Sequence, residues 1–182
     1  MLRHMLIAGL AVGLQACATP PEVKDWRPFQ ERTFKGVTED ELIDALDVVF
    51  QHSRPGKYEF RIAPGRVTAT RRVNHFLVLS TVQGTESWTV ELQATATEVR
   101  AITDVEFVGA SLPYATPLSS RPDRPGAYSL LWDRVEYVLG RQSDWVSCDQ
   151  WRSSEGLTTA DLQFLGLCGY MADDTVPPKP RA

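Results

Sequence analysis

The chain is predicted to fold as an α+β domain: an antiparallel β-meander of four or five strands, packed on one face by an N-terminal and a C-terminal helix. Three observations carry this. Residues 38–50 place apolar side chains at helical spacing behind a capping box. From Lys57 to Val108 the hydrophobic period drops to two. Between Ala127 and Leu139 the helical spacing returns. With 43% apolar and 23% charged residues, the 182-residue chain has a globular composition and enough length for one core.

Met1 to Cys17 reads as an export signal. Arg3 and His4 make a short basic start, and Met5–Leu14 is an apolar run of signal length, too short to cross a bilayer as a helix. The signal peptide is placed at residues 1–16, ending in Leu14-Gln15-Ala16-Cys17. This tetrapeptide resembles the lipobox of bacterial lipoproteins, where a Leu and a small residue before the Cys direct diacylation and cleavage. Leu14, Ala16 and Cys17 match, while Gln15 departs from the usual small residue. The resemblance implies that Cys17 becomes the palmitate-bearing N-terminus. Ala18 rather than Asp after it implies the outer membrane, facing the periplasm. The competing reading is a secretory signal cut at the small-x-small sequence Ala16-Cys17-Ala18, giving a soluble periplasmic protein.

Residues 17–31 are read as lipidated Cys and tether, because Pro20, Pro21 and Pro28 oppose helix and the charges keep it solvated. Trp26 and Phe29 are the anomaly, and imply that the tether's end docks on the domain. The domain is placed at 32–172. Its first helix starts at Thr38, with Glu41 three residues on and Val37 and Leu42 set for a hydrophobic staple. Leu42, Ala45, Leu46, Val49 and Phe50 form its buried stripe, Asp40, Glu41, Asp44 and Asp47 its solvated face, and Pro55-Gly56 its stop.

In the meander Tyr58, Phe60 and Ile62 alternate with charges before the Pro64-Gly65 turn. Val67, Ala69 and Val73 share a face broken by Arg71. His75–Val82 reads as a central strand turned by Gln83-Gly84-Thr85. Trp88, Val90, Leu92, Ala94 and Ala96 then alternate with polar residues, as do Val99, Ala101, Thr103, Val105 and Phe107. Gly109–Gly126, with Pro113, Pro117, Pro122 and Pro125, is read as a loop. Tyr128, Leu131, Trp132, Val135, Val138 and Leu139 mark the second helix, stopped at Gly140. A short third helix is expected over Asp144–Trp151, within a stapled C-terminal segment 141–170, and residues 173–182 are read as a flexible tail.

If Cys17 is lipidated or removed, Cys148 and Cys168 remain, and in an oxidising compartment they are expected to form a disulfide. No CxxC, GxSxG, HExxH, phosphate loop or EF-hand occurs. His52 and His75 are too few and too scattered for a triad or zinc site, and Asp173-Asp174 would hold a cation weakly. No catalytic residue, metal or cofactor is therefore assigned. Loss of the signal removes Arg3 and takes the net charge from −4 to −5, which disfavours nucleic acid as a partner.

The helix–meander–helix order over Arg32–Leu139 resembles helix-grip α+β domains, including the START-like lipid carriers. It also resembles small domains of outer-membrane lipoproteins of the assembly-accessory type, in which a capped helix leads to a strand like Val67-Thr68-Ala69-Thr70-Arg71. These likenesses imply a fold and supply no catalytic residue. The function expected is a lipid-anchored, non-catalytic envelope protein that binds another envelope protein, with Thr89, Glu91, Gln93 and Thr95 on its polar sheet face. The alternative is a periplasmic carrier holding a small hydrophobic ligand in a cavity lined by Trp and Tyr.

Overall fold

The computed structural model describes residues 25–53, 57–77, 80–113, 115–121, 125–155, 166–168 and 174–178. It is an α+β fold. A short helix α1 (Arg27–Gln30) leads into strand β1 (Glu31–Lys35) and helix α2 (Glu39–Ser53). Five further strands follow: β2 (Glu59–Ala63), β3 (Arg66–Leu77), β4 (Ser80–Ala94), β5 (Glu98–Leu112) and β6 (Thr116–Ser120). Helices α3 (Gly126–Val138) and α4 (Cys148–Ser154) complete the order. The sheet runs β1-β5-β4-β3-β2, all antiparallel, and β6 shares the outer edge of β5 with β1.

The first helix forms as its signals dictate. The Thr38 backbone N–H donates to Glu41 Oε2 at 2.8 Å and the Glu41 N–H to Thr38 Oγ1 at 3.3 Å, closing the capping box. Leu42, Ala45, Leu46, Val49 and Phe50 are all buried. Gly140, at φ +74, ends α3 in the left-handed conformation that glycine tolerates, and the Arg141 N–H returns to the Glu136 carbonyl at 2.8 Å. Between helices and sheet lies one core built around Phe34, Phe50, Trp88, Tyr128, Leu131 and Trp132.

The tether ends sooner than expected. Arg27–Gln30 and Glu31–Lys35 belong to the fold, so regular structure begins at Arg27, inside the segment read as tether. Trp26 does dock, meeting Tyr128 edge-on at 6.1 Å, and Trp132 Nε1 donates to the Phe29 carbonyl at 2.9 Å.

The hairpin register departs from the alternation reading. His75–Val82 is not one strand: β3 runs on to Leu77, the chain reverses between Leu77 and Ser80, and Gln83–Thr85 sits inside the 15-residue β4. The cause lies in Gly84, which faces Gly109 across the β4–β5 ladder. A Cβ at Gly84 would stand 2.4 Å from the Val108 carbonyl oxygen and 2.6 Å from the Phe107 ring. Close approach, not a turn, requires this glycine. Similarly, β5 continues through Gly109 to Leu112, and β6 occupies part of what reads as a loop. Ala96, expected in a strand, is exposed in the turn after β4. The third helix starts at Cys148, four residues late, because Ser147 accepts from the Gln150 N–H and makes its own capping box.

Candidate functional site

Two buried cations organise the end of the core. Arg71 stands on the helix-facing side of β3, where alternation puts it among Val67, Ala69 and Val73. Its partner is Glu86 on β4, directly opposite in the register, at 2.7 Å from the Arg71 guanidinium. Glu86 also accepts from Tyr58 Oη and Trp88 Nε1, each at 2.8 Å. The backbone of Gly166 closes the set. Its N–H donates to Glu86 Oε2 at 3.1 Å, and its carbonyl accepts from Arg71 at 3.3 Å. Burial alone would lower the pKa of Arg71, but the oxygens of Tyr58 and Glu86 outweigh it and hold the pKa above the usual range. Arg71 therefore stays charged.

Arg134 on α3 is the second cation and is fully buried. Helical spacing places it on the same stripe as Leu131 and Val135. Its guanidinium donates to Ser53 Oγ at 2.6 Å, the Val146 carbonyl at 3.0 Å and Asp174 at 2.8 Å. It lies 4.4 Å from the centre of the Trp145 ring and reaches Cys148 Sγ at 3.4 Å and Cys168 Sγ at 3.7 Å. Burial pushes its pKa down to about 10, with Asp174 opposing. Cys148 and Cys168 are bridged, with their Cα atoms 5.3 Å apart. Trp145 thus stacks on Arg134, which in turn contacts the disulfide. Trp151 turns the other way, donating to the Gly126 carbonyl at 3.1 Å.

The tail is correspondingly held rather than loose over 174–178. Asp174 pairs with Arg134, the Thr175 N–H donates to the His52 carbonyl at 2.9 Å, and Tyr137 Oη donates to the Pro177 carbonyl at 3.3 Å. His52 Nδ1 lies 2.9 Å from Thr175 Oγ1. Asp174 is consumed as a counterion, and Asp173 lies outside the described residues, as do Cys17, Leu162, Phe164 and Leu165. Among the described residues no three His, Cys, Asp or Glu converge as metal ligands.

The expected contact residues on the outer sheet face are mostly engaged within the sheet. Glu91 pairs with Arg66 at 3.0 Å, and Gln93 accepts from Arg100 at 3.2 Å. Arg100 also grips Glu31 with two bonds, at 2.6 and 2.7 Å. Thr95 lies in the β4–β5 turn, bonded to Glu98. Thr89 stays in the strand, between Thr68 and Asp104. The β5 edge left open between β1 and β6 is plugged around Asp104, which accepts from Gln30 at 3.3 Å and Tyr128 Oη at 3.4 Å and pairs with Arg121 at 3.0 Å. Burial first, and then the Asp104 carboxylate, raise the Tyr128 hydroxyl above the usual phenol range.

A groove of about 370 Å³ runs between the start of α2 and the end of α3, floored by Val37, Ala45 and Leu139. Of its charged groups, Glu41 is committed to its cap and Arg141 to the Lys35 carbonyl, while Asp44 also lines it. Where the ligand-carrier alternative needs a cavity between the sheet and the second helix, Trp88, Tyr128, Leu131 and Trp132 fill the space. Sequence reasoning noticed Arg71 as a break in a face, but missed Glu86 and Arg134. Both sit on apolar positions by period, and that was the available signal.

No protein-family model matches this chain, and no curated protein matches it. Among solved structures, the chain is similar to a TBP-like protein from Parabacteroides distasonis at 7% identity and a TM-score of 0.29. The likeness covers 50% of this chain, which spans 63% of that one. At that score it carries no argument about function.

Proposed function

We propose that this chain is a non-catalytic protein of the cell envelope, lipid-anchored through Cys17 to the outer membrane, facing the periplasm and bound to another envelope protein. The observation that carries the reading is the Cys148–Cys168 bridge at the heart of the C-terminal segment, because such bridges persist in oxidising compartments. Leu14-Gln15-Ala16-Cys17 supports the anchor. The side-chain chemistry supports a binding role. Among the described residues each buried charge is spent on holding the fold together, and the outer sheet face offers hydroxyls, amides and ion pairs rather than a cleft. The ligand-carrier alternative finds its expected cavity occupied by side chains.

Two experiments test it. Cys17→Ser should abolish palmitate labelling and stall removal of the signal peptide. Wild-type labelling and processing of that variant would refute the anchor. Crosslinking in intact cells should then capture a discrete envelope protein. Lipid co-purified at one molecule per chain in native mass spectrometry of the acyl-free domain would instead favour the carrier.

A further inference from the structure

Charge is absent from one whole end of the sheet. From Val73 to Thr85 and from Phe107 to Ser120 there is no Asp, Glu, Lys or Arg, although at the chain's 23% average about six of these residues would be charged. These two spans are far apart in sequence, and the register brings them together. Asn74 to Leu77 pair with Ser80 to Gln83, Thr81 to Thr85 pair with Val108 to Leu112, and β6 pairs with Phe107 to Ser111. The charged residues stop along one transverse line, at Arg71, Arg72, Glu86 and Glu106. Beyond it lies a four-stranded arm uncharged on both faces.

Two of the four large apolar side chains that stand in solvent among the described residues are on the arm. Phe76 is 77% exposed and Val108 57%, both on the outer face by alternation, with Ala110 and exposed Pro117 between their rows and the edge. On the inner face Val73, Val82 and Phe107 are buried together in a small cluster with Leu118, separate from the main core.

The geometry points to this arm as a membrane-inserting tip, with the interfacial region of a phospholipid bilayer as its occupant. Two arguments favour lipid over a protein partner. A protein would cover one face and leave ordinary solvated charge around it, whereas here charge is missing from the exposed outer face and from both open edges, those of β3 beyond Arg72 and of β6, as suits a medium that surrounds the exposed arm. The length also fits. From Arg72 to Leu77 the strand advances about 17 Å, enough to cross a headgroup layer of roughly 5–8 Å while the line of charges stays in water. Threonine, serine, glutamine and asparagine on the outer face match the hydrogen-bonding headgroup zone, and Phe76 and Val108 the acyl boundary. This contact is separate from any acylation of Cys17.

Residues 18–182, exported through a cleavable signal and free of acyl groups, contain every described contact and provide the test. In flotation with phosphatidylethanolamine–phosphatidylglycerol (3:1) vesicles this chain is expected to float, equally in 0.1 and 0.5 M salt. Phe76→Asp with Val108→Asp should lower the floated fraction at least tenfold with an unchanged near-ultraviolet spectrum, and Phe76→Trp should retain it. If the double variant misfolds, Pro117→Asp on the exposed edge strand takes its place. Failure to float, flotation untouched by these aspartates, or a dimer that they dissociate would each overturn the inference. Palmitate labelling at Cys17 is read independently of flotation, so loss of one leaves the other standing.

Discussion

Neutralising Glu86 without changing its shape isolates what the buried pair does. In Glu86→Gln, Oε1 can still accept from Tyr58 and Trp88, but an amide NH₂ would face the Arg71 guanidinium and the Gly166 N–H, both donors. Arg71, only 3% exposed in its side chain and held charged, loses its counterion. Removing one partner of a buried pair costs about 3–5 kcal/mol, against a total stability of about 5–15 kcal/mol. For a domain of this size that lowers Tm by roughly 6–20 °C. The double variant Arg71→Met/Glu86→Gln removes the orphaned cation while keeping the acceptor for Tyr58 and Trp88, and should recover at least half of the loss. Urea unfolding followed by tryptophan fluorescence, with all four corners of the cycle, measures it. A single variant within 1 kcal/mol of wild type, or a double variant less stable than Glu86→Gln, would refute the assignment of this pair as a coupled salt bridge. Because Gly166 binds both members, limited proteolysis of Glu86→Gln should also cut first beyond Trp151.

Cys148→Ser opens a 20-residue loop and should cost about 3 kcal/mol by chain entropy, with unfolded, unreduced mature wild-type protein showing no reactive thiol in a titration; two thiols would exclude the bridge. Glu41 has its pKa lowered by the Thr38 backbone and side-chain bonds, so its contribution is complete above its unfolded value and is lost as pH falls through the lower folded one. Glu41→Gln keeps the cap acceptor but not that acid limb, so its Tm deficit should be larger at pH 6 than at pH 3; an equal deficit at both would contradict the cause assigned. Gly84→Ala forces a methyl against the Val108 carbonyl and should shift the urea midpoint by the equivalent of about 1–3 kcal/mol, whereas an unmoved midpoint would mean that the two strands do not approach as described.

What could be read from the sequence was whatever is decided within a few residues. The Thr38–Glu41 cap, the Leu42–Phe50 stripe and the strict alternation around Trp88 depend on spacing along one segment, and each is found in place. What could not be read depends on the facing strand. Gly84 carries the same local signal whether it turns a hairpin or lets Phe107 lie across a flat ladder, and only the presence of Gly109 opposite decides between them. Arg71 reads as a defect in an apolar face until Glu86 is recognised as its neighbour, 15 positions away, and Gly166 as their lid, another 80 away. The same limit explains Arg134, whose ligands come from α2, the α3–α4 connection, the disulfide and the tail. An apolar-stripe position occupied by a charge is therefore better treated as a demand for a distant partner than as a break in the pattern. Had Arg71, Glu86 and Arg134 been read that way, the tail bearing Asp174 would have been expected to dock, since a fully buried guanidinium needs a carboxylate to stay there.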